Sequence, residues 1–256
     1  MKRCATGLAV LLLAATTVLS PSTGVPDSLS SLEPTEAGQI LAARLRSLAP
    51  AEESHFRGTL NVRRGQKTKI IPFTLRITIE ASVWKAIYET SGSENAPAEK
   101  LIVVHGTNRP NEYLYAKAAN PGEPPGSPRR LAGMEAAIAF GGSDFWLIDF
   151  GLEFLHWPRQ RLLQTEMRKG RVCHVLESTH PRPAPGDYGR VISWVDKESG
   201  GIILAEGYDH GNKLLKEFSI GKVTKVEGQW QLEEMEIRNV QSKSRTRLEF
   251  DFDRAR

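Results

Sequence analysis

Residues 73–80 read FTLRITIE, and the period of this stretch decides the fold. Phe73, Leu75, Ile77 and Ile79 alternate with Thr74, Arg76, Thr78 and Glu80. Successive side chains of a strand point to opposite faces, so the stretch predicts a strand with one face in a core and the other in water. Residues 83–90 follow almost at once, with Trp84, Ala86 and Tyr88 on one side and Val83, Lys85 and Ile87 on the other. Two neighbouring antiparallel strands are the simplest reading. Working outward, the alternation begins at His55, and residues 101–105 and 112–116 add short strands around the turn-forming group Gly106, Thr107 and Asn108.

Beyond Trp157 the strands resume at about residues 161–168, 172–178, 188–196, 202–208, 213–223, 230–240 and 245–252. Gly170, Gly186, Gly200-Gly201, Gly211-Asn212 and Gly228 punctuate them, which is hairpin spacing. Leu248, Phe250 and Phe252 oppose Arg247, Glu249 and Asp251, so the last strand also has one wet and one buried face. The expectation is a mainly β (α+β) fold: an antiparallel meander of about eleven or twelve strands, too many for a flat open sheet. Such a sheet curves into a half-open barrel, and its concave face needs a filling.

Two segments are available as filling. In the first, Thr35 is a candidate N-cap, and Ala37, Ile40, Leu41, Leu45 and Leu48 recur at helical spacing until Pro50 stops the element. The second is GGSDFWLIDFGLEFLHWP, residues 141–158. On a helix at about 100° per residue, Asp149, Glu153 and His156 share one narrow face and apolar side chains cover the rest. Trp146, Phe150, Phe154 and Trp157 line one flank, and Phe145, Ile148, Leu152 and Leu155 line the other. One flank can face the fold; the other needs more protein or an apolar ligand. A plain buried core helix satisfies the same pattern. Gly151 and Pro158 predict two short helical pieces with a joint. Residues 118–130, AANPGEPPGSPRR, contain four prolines and two glycines and lead into this segment as a long loop, so the pair reads as a lid on a leash.

Lys2 and Arg3, then an apolar run over residues 5–19 and a polar, small-residue stretch, predict a secretory signal peptide over residues 1–24 and one mature domain over residues 25–256. The run falls short of the roughly 20 residues a membrane-spanning helix needs. Cys4 precedes the run and would leave with the signal, so Cys173 remains alone and no internal disulfide can form. Loss of Lys2 and Arg3 would leave 32 basic against 30 acidic groups, a formal +2. The basic stretches at 63–69 and 243–247 are interrupted by small polar residues and read as turns and strand faces, not as a nucleic-acid surface.

No G-x-S-x-G nucleophile elbow occurs, and residues 141–144 read as a turn with a helix cap. His55, His105, His156, His174, His180 and His210 are scattered, without a metal-binding spacing, and no phosphate loop is present. Neither metal nor cofactor is expected. Asp187, Asp196 and Asp209 sit beside turn residues, and Cys173 reads as a small buried apolar side chain.

The succession GSDFWLIDFGLEFLHWP, GRVCHVLES, YGRVISWVDKESGGIILAEGYDHGNKLLKEFSI, WQLEEMEIRNV and SRTRLEFDF resembles the outer-membrane lipoprotein-sorting proteins related to the LolA/LolB lipoprotein carriers. The N-terminal helix and FTLRITIE followed by VWKAIYE fit the same pattern, so the likeness covers most of the mature chain. It implies an eleven-stranded half-open barrel with helices as a lid over a cavity for acyl chains. On that basis Leu75, Ile77, Trp84, Tyr88, Trp146, Phe150, Phe154 and Trp157 are the candidate ligand-binding wall and lid. The implied function is that of a monomeric periplasmic carrier or chaperone for an acylated lipoprotein or lipid, passing it from an inner-membrane transporter toward an outer-membrane acceptor. Two alternatives remain: a lipid-hydrolysing enzyme that uses a polar residue such as Asp149 or His156, and a structural envelope protein without a ligand.

Overall fold

The computed structural model describes residues 28–81, 83–94, 96–106, 109–131, 133–226 and 229–252. The expected signal peptide and Cys4 lie outside the described residues. One α-helix, α1 (Pro34–Arg46), precedes the sheet. Pro34 opens it and Glu33 is its N-cap, so the helix begins one residue before the expected cap Thr35. The first six strands are β1 (Ser54–Arg64), β2 (Lys67–Glu80), β3 (Val83–Thr90), β4 (Glu99–Gly106), β5 (Arg109–Lys117) and β6 (Arg129–Leu131). The remaining seven are β7 (Arg159–Arg168), β8 (Arg171–Thr179), β9 (Tyr188–Asp196), β10 (Ile202–Asp209), β11 (Leu214–Val226), β12 (Gln229–Asn239) and β13 (Ser244–Phe250).

All thirteen strands form one sheet in the order β6-β5-β4-β3-β2-β1-β13-β12-β11-β10-β9-β8-β7, and every neighbouring pair is antiparallel. The count exceeds the expected eleven or twelve. The short β6 lies at the end of the proline-rich loop, where three residues are too few for a period to show. The alternation of FTLRITIE holds: Phe73, Leu75 and Ile77 are buried, and Leu75 and Ile77 pair with Tyr88 and Ala86 of β3. Lys169 and Gly170, both at positive φ, close the β7–β8 hairpin, a backbone demand that glycine meets without strain.

A flat sheet of thirteen strands spaced about 4.8 Å apart would be nearly 60 Å wide. Yet one hydrophobic cluster contains a buried residue from every strand, from Leu131 of β6 to Leu162 of β7, together with Phe140, Phe145, Leu147, Ile148, Phe150, Leu155 and Trp157. The sheet is therefore curled, with its two edges free of one another and its inner face wrapped around the β6–β7 connection. That connection is the long crossing in a topology otherwise made of neighbouring hairpins. A smaller cluster of Cys173, Val175, Trp194 and Ile203 forms apart from this core, and Cys173 is buried as a free thiol.

The connection is not a helical lid. It holds only short 3-10 turns, at Gly133–Ala136, Leu147–Asp149 and Glu153–His156, with Leu152 in the left-handed region at φ 47° between the last two. The two-piece reading with a joint near Gly151 stands, but neither piece is an α-helix. The segment also lies inside the sheet's curve instead of over it. Its surroundings explain this: apolar side chains are wanted on all sides, and fixed partners from the sheet satisfy several of its backbone groups in place of helical hydrogen bonds. The turn at residues 141–144 caps no helix either. The Asp144 carboxylate accepts bonds from the hydroxyls of Ser244 and Thr246, and Glu99 accepts from the Gly141 N–H.

Helix α1 packs on β7 at Gly38, where an added Cβ would lie 2.5 Å from the backbone nitrogen of Arg161. Backbone cannot yield as a flexible side chain can. Gly38→Ala is expected to destabilise the protein by about 1–3 kcal/mol, lowering Tm by several degrees on thermal circular dichroism. Gly126→Ala, in open space within the proline-rich loop, should leave Tm unchanged.

Candidate functional site

Two cavities flank the crossing segment and share Phe150 and Leu152 as a partition. The larger, about 170 Å³, lies between the end of α1, the β2–β3 corner, β4, β5 and the segment; Arg46, Trp84, His105, Asn111, Leu155 and His156 are among its walls. The smaller, about 60 Å³, faces β9 to β12 and is lined by Phe145, Phe154, Tyr188, Lys216, Phe218 and Met235, among others. Both fall below the few hundred cubic ångströms of an ordinary small-molecule pocket, so in this conformation the protein's own side chains occupy most of the interior.

The candidate wall residues separate into groups. Phe150 touches Tyr88 at 4.5 Å, Phe140 at 5.4 Å and Phe145 at 5.5 Å between ring centroids, and lines both cavities. Trp84 lines the larger one, stacked on the His105 ring at 3.7 Å. Phe154 lines the smaller. Leu75, Ile77 and Tyr88 are buried and line neither. Trp146 packs on Tyr188 at 4.8 Å. Trp157 sets its ring edge-on to His180, outside both cavities.

Asp149, Glu153 and His156 do not share a face. Asp149 turns toward β9 and β11: its carboxylate accepts bonds from Tyr188 Oη at 3.0 Å, from Lys216 Nζ at 3.2 Å and from the Trp146 N–H at 2.7 Å. Glu153 turns the other way, and Tyr113 Oη of β5 donates to it at 2.9 Å. His156 lines the larger cavity. The unwound backbone is the cause, because Leu152 breaks the helical path with a left-handed conformation between the two turns.

Further side chains hold the segment. Asn111 Nδ2 donates to the Gly151 carbonyl at 2.7 Å, Arg46 to the Leu155 carbonyl, and Gln160 Nε2 to the carbonyls of Phe154 and Trp157. Gly151 is needed for this seat, since a Cβ there would fall 2.1 Å from Tyr113 Oη. These anchors are dispersed along the chain and carry no short motif. Lys216 is the exception that the sequence hints at: in LLKEFSI it has the parity of Phe218, an inward position where a lysine is out of place.

Burial governs the titrating groups around the segment. It pushes the Glu153 carboxyl up from 4.5 to about 7, against the Tyr113 hydrogen bond that favours the charged form. It pulls His105 down to about 3 and His156 to about 4, helped by the charge of His156 on the first and of Arg46 on the second. It lowers Lys216 to about 8 although Asp149 opposes the shift. Among the described residues no group of three or more His, Cys, Asp or Glu is placed to hold a metal ion.

A family model described as "Uncharacterized protein" matches residues 103–254, more than half of the chain. The chain belongs to that family. Three solved structures share its fold: a DUF1329 family protein from Desulfovibrio piger, a domain described as an outer-membrane lipoprotein-sorting protein from Vibrio parahaemolyticus, and a LolA superfamily protein from Nitrosomonas europaea. The first aligns with a TM-score of 0.70 and 20% identity over 88% of this chain and 95% of its own. The second gives 0.69 and 19% over 85% and 92%, and the third 0.58 and 14% over 86% and 93%. The fold is thus LolA-like, as the order of sequence motifs implied. No curated protein matches the chain in sequence.

Two outcomes follow from this geometry. Between pH 4.5 and about 7 the Glu153 carboxyl holds a proton more readily folded than unfolded, so its contribution to stability falls as pH rises through that window. Glu153→Gln should therefore be more stable than wild type by about 2–3 kcal/mol at pH 8 and equal to it near pH 4, read from urea unfolding at both pH values. His105 and His156 have the opposite slope below pH 6.5, but it is common to both proteins and cancels in the difference. Tyr88 is fully buried and its hydroxyl finds no hydrogen-bond partner among the described residues, so Tyr88→Phe should hold or raise stability by about 1 kcal/mol in the same assay.

Proposed function

We propose that this protein is a periplasmic carrier or chaperone that takes acyl chains of a lipoprotein or lipid into the curled sheet by displacing the crossing segment. The observation that carries the reading is the nature of the filling. It is an irregular stretch between two free sheet edges, held by separable polar contacts from Arg46, Asn111, Tyr113 and Lys216, with space already open on both of its sides. A core built only for stability has no need of such a filling; a wall that must close without ligand and open with it does. Burying an acyl chain of some fourteen methylenes yields about 11 kcal/mol before the losses of binding, a driving force of the size needed to move packed side chains.

The LolA-like fold supports the same reading, since one structural relative is described as an outer-membrane lipoprotein-sorting protein. The cargo would come from an inner-membrane donor and pass to an outer-membrane acceptor. No helix among the described residues is long and apolar enough to cross a membrane. Asp149 and His156, the polar residues of the hydrolytic alternative, line different cavities. The small size of both cavities favours one second reading, a structural protein that fills its own interior.

Native mass spectrometry of the protein isolated from a bacterial periplasm separates the two. The carrier reading expects lipid or an acylated peptide at near-stoichiometric amount. An empty protein that also refuses a fluorescent fatty acid would leave the structural reading. Asn111→Ala, which frees the Gly151 carbonyl, is expected to speed uptake of that probe several-fold while leaving the β-type circular dichroism intact.

A further inference from the structure

Lys216 is 2% exposed on the inner face of β11, beside the smaller cavity. Its ammonium lies 3.5 Å from the centroid of the Trp146 ring and 5.3 Å from that of Tyr188, an aromatic setting that suits a cation stripped of water. Its counter-ion is Asp149, and the pair is held in an unequal way. Lys216 and Tyr188 belong to the sheet, whereas Asp149 and Trp146 belong to the crossing segment. The two sheet donors also divide the carboxylate between them, with Tyr188 Oη on Oδ1 and Lys216 Nζ on Oδ2.

Withdrawal of the segment would remove the carboxylate and leave an ammonium and a phenol in a wall otherwise made of Val191, Ile202, Ala205, Phe218 and Met235. A buried charge cannot lose its partner without a large penalty, so whatever displaces the segment must bring an anion with it. We propose that Lys216 and Tyr188 form the head-group site for the carboxylate of a long-chain fatty acid, which replaces the Asp149 carboxylate as its acyl chain replaces the segment. The seat suits a carboxylate: the two sheet donors offer one hydrogen bond to each oxygen. Lys216, although lowered to about 8, still carries its proton at neutral pH. This inference rests on the carrier reading and specifies its ligand.

The test is equilibrium binding of laurate and of 1-dodecanol, equal in chain length, to the full mature chain at pH 7 by titration calorimetry. Wild type should bind laurate at least about tenfold more tightly, the worth of a charge-assisted hydrogen-bond pair. Asp149→Asn should tighten laurate binding, because the ligand no longer competes with the internal carboxylate, while the preference over dodecanol stays, because Asp149 is displaced in both complexes. Since Lys216→Met alone leaves a carboxylate unpaired, the double variant Lys216→Met with Asp149→Asn is the informative one. It should bind the two probes equally, with dodecanol tighter than in wild type because no unpaired ammonium is left in the wall. Equal affinities in wild type, or a laurate preference that survives in the double variant, would overturn the head-group site and leave the carrier reading standing. Failure of both probes to bind would overturn the carrier reading and this inference together.

Discussion

The inner face of a thirteen-stranded sheet has to be covered, and Phe150 is where the cover closes. Its ring meets Tyr88 from one half of the sheet and forms part of the cavity wall facing the other half. Every other feature of the interior answers the same constraint. Phe140, Phe145, Leu147 and Ile148 extend the cover, and α1 shuts the end near β7 because Gly38 lets helix and strand backbones meet. The segment can serve so many walls only by abandoning helical geometry, since a helix projects its side chains in one regular spiral. Its backbone then needs partners of other kinds, and these are the polar anchors found around it.

Those anchors set the character of the interior. An apolar filling with a regular backbone would be stable and inert. Here the filling is tied by bonds whose partners sit on different elements: Arg46 on α1, Asn111 and Tyr113 on β5, Lys216 on β11. The buried ionisable groups follow from this arrangement. Glu153 on the segment and Lys216 beside it are drawn out of water because the segment is itself inside, and their displaced proton affinities are the mark of that position.

Much of the sheet was legible in the sequence because burial on one face imposes a period of two. The expected spans for β3 and β9 coincide with the observed strands, and most others differ by one to three residues at their ends, where alternation stops before the hydrogen bonds do. The extension of β2 back to Lys67 was missed because Lys67, Thr68 and Lys69 carry no apolar alternation on a hairpin tip. The segment was legible as apolar on all sides and broken near Gly151, but not as irregular, because helical spacing and an all-sided filling demand the same composition. Phe150, Trp84 and Phe154 were placed at cavities, whereas Trp157 was not. Pairing Asp149 with Lys216, or Glu153 with Tyr113, needs the topology, since the partners lie 67 and 40 residues apart.

Strand β1 lies beside β13 at the middle of the sheet, pairing Gly58 with Phe250 and Val62 with Thr246. The two halves of the curl are thus joined through the first and last strands of the chain. Local hairpins can form early, but the seam between the halves requires contacts across nearly the whole sequence, the class of contact that slows folding most. The inner space cannot exist until the final strand has arrived. A chain wired in this way stays open and threadable until its last strand pairs, and only then acquires an inside.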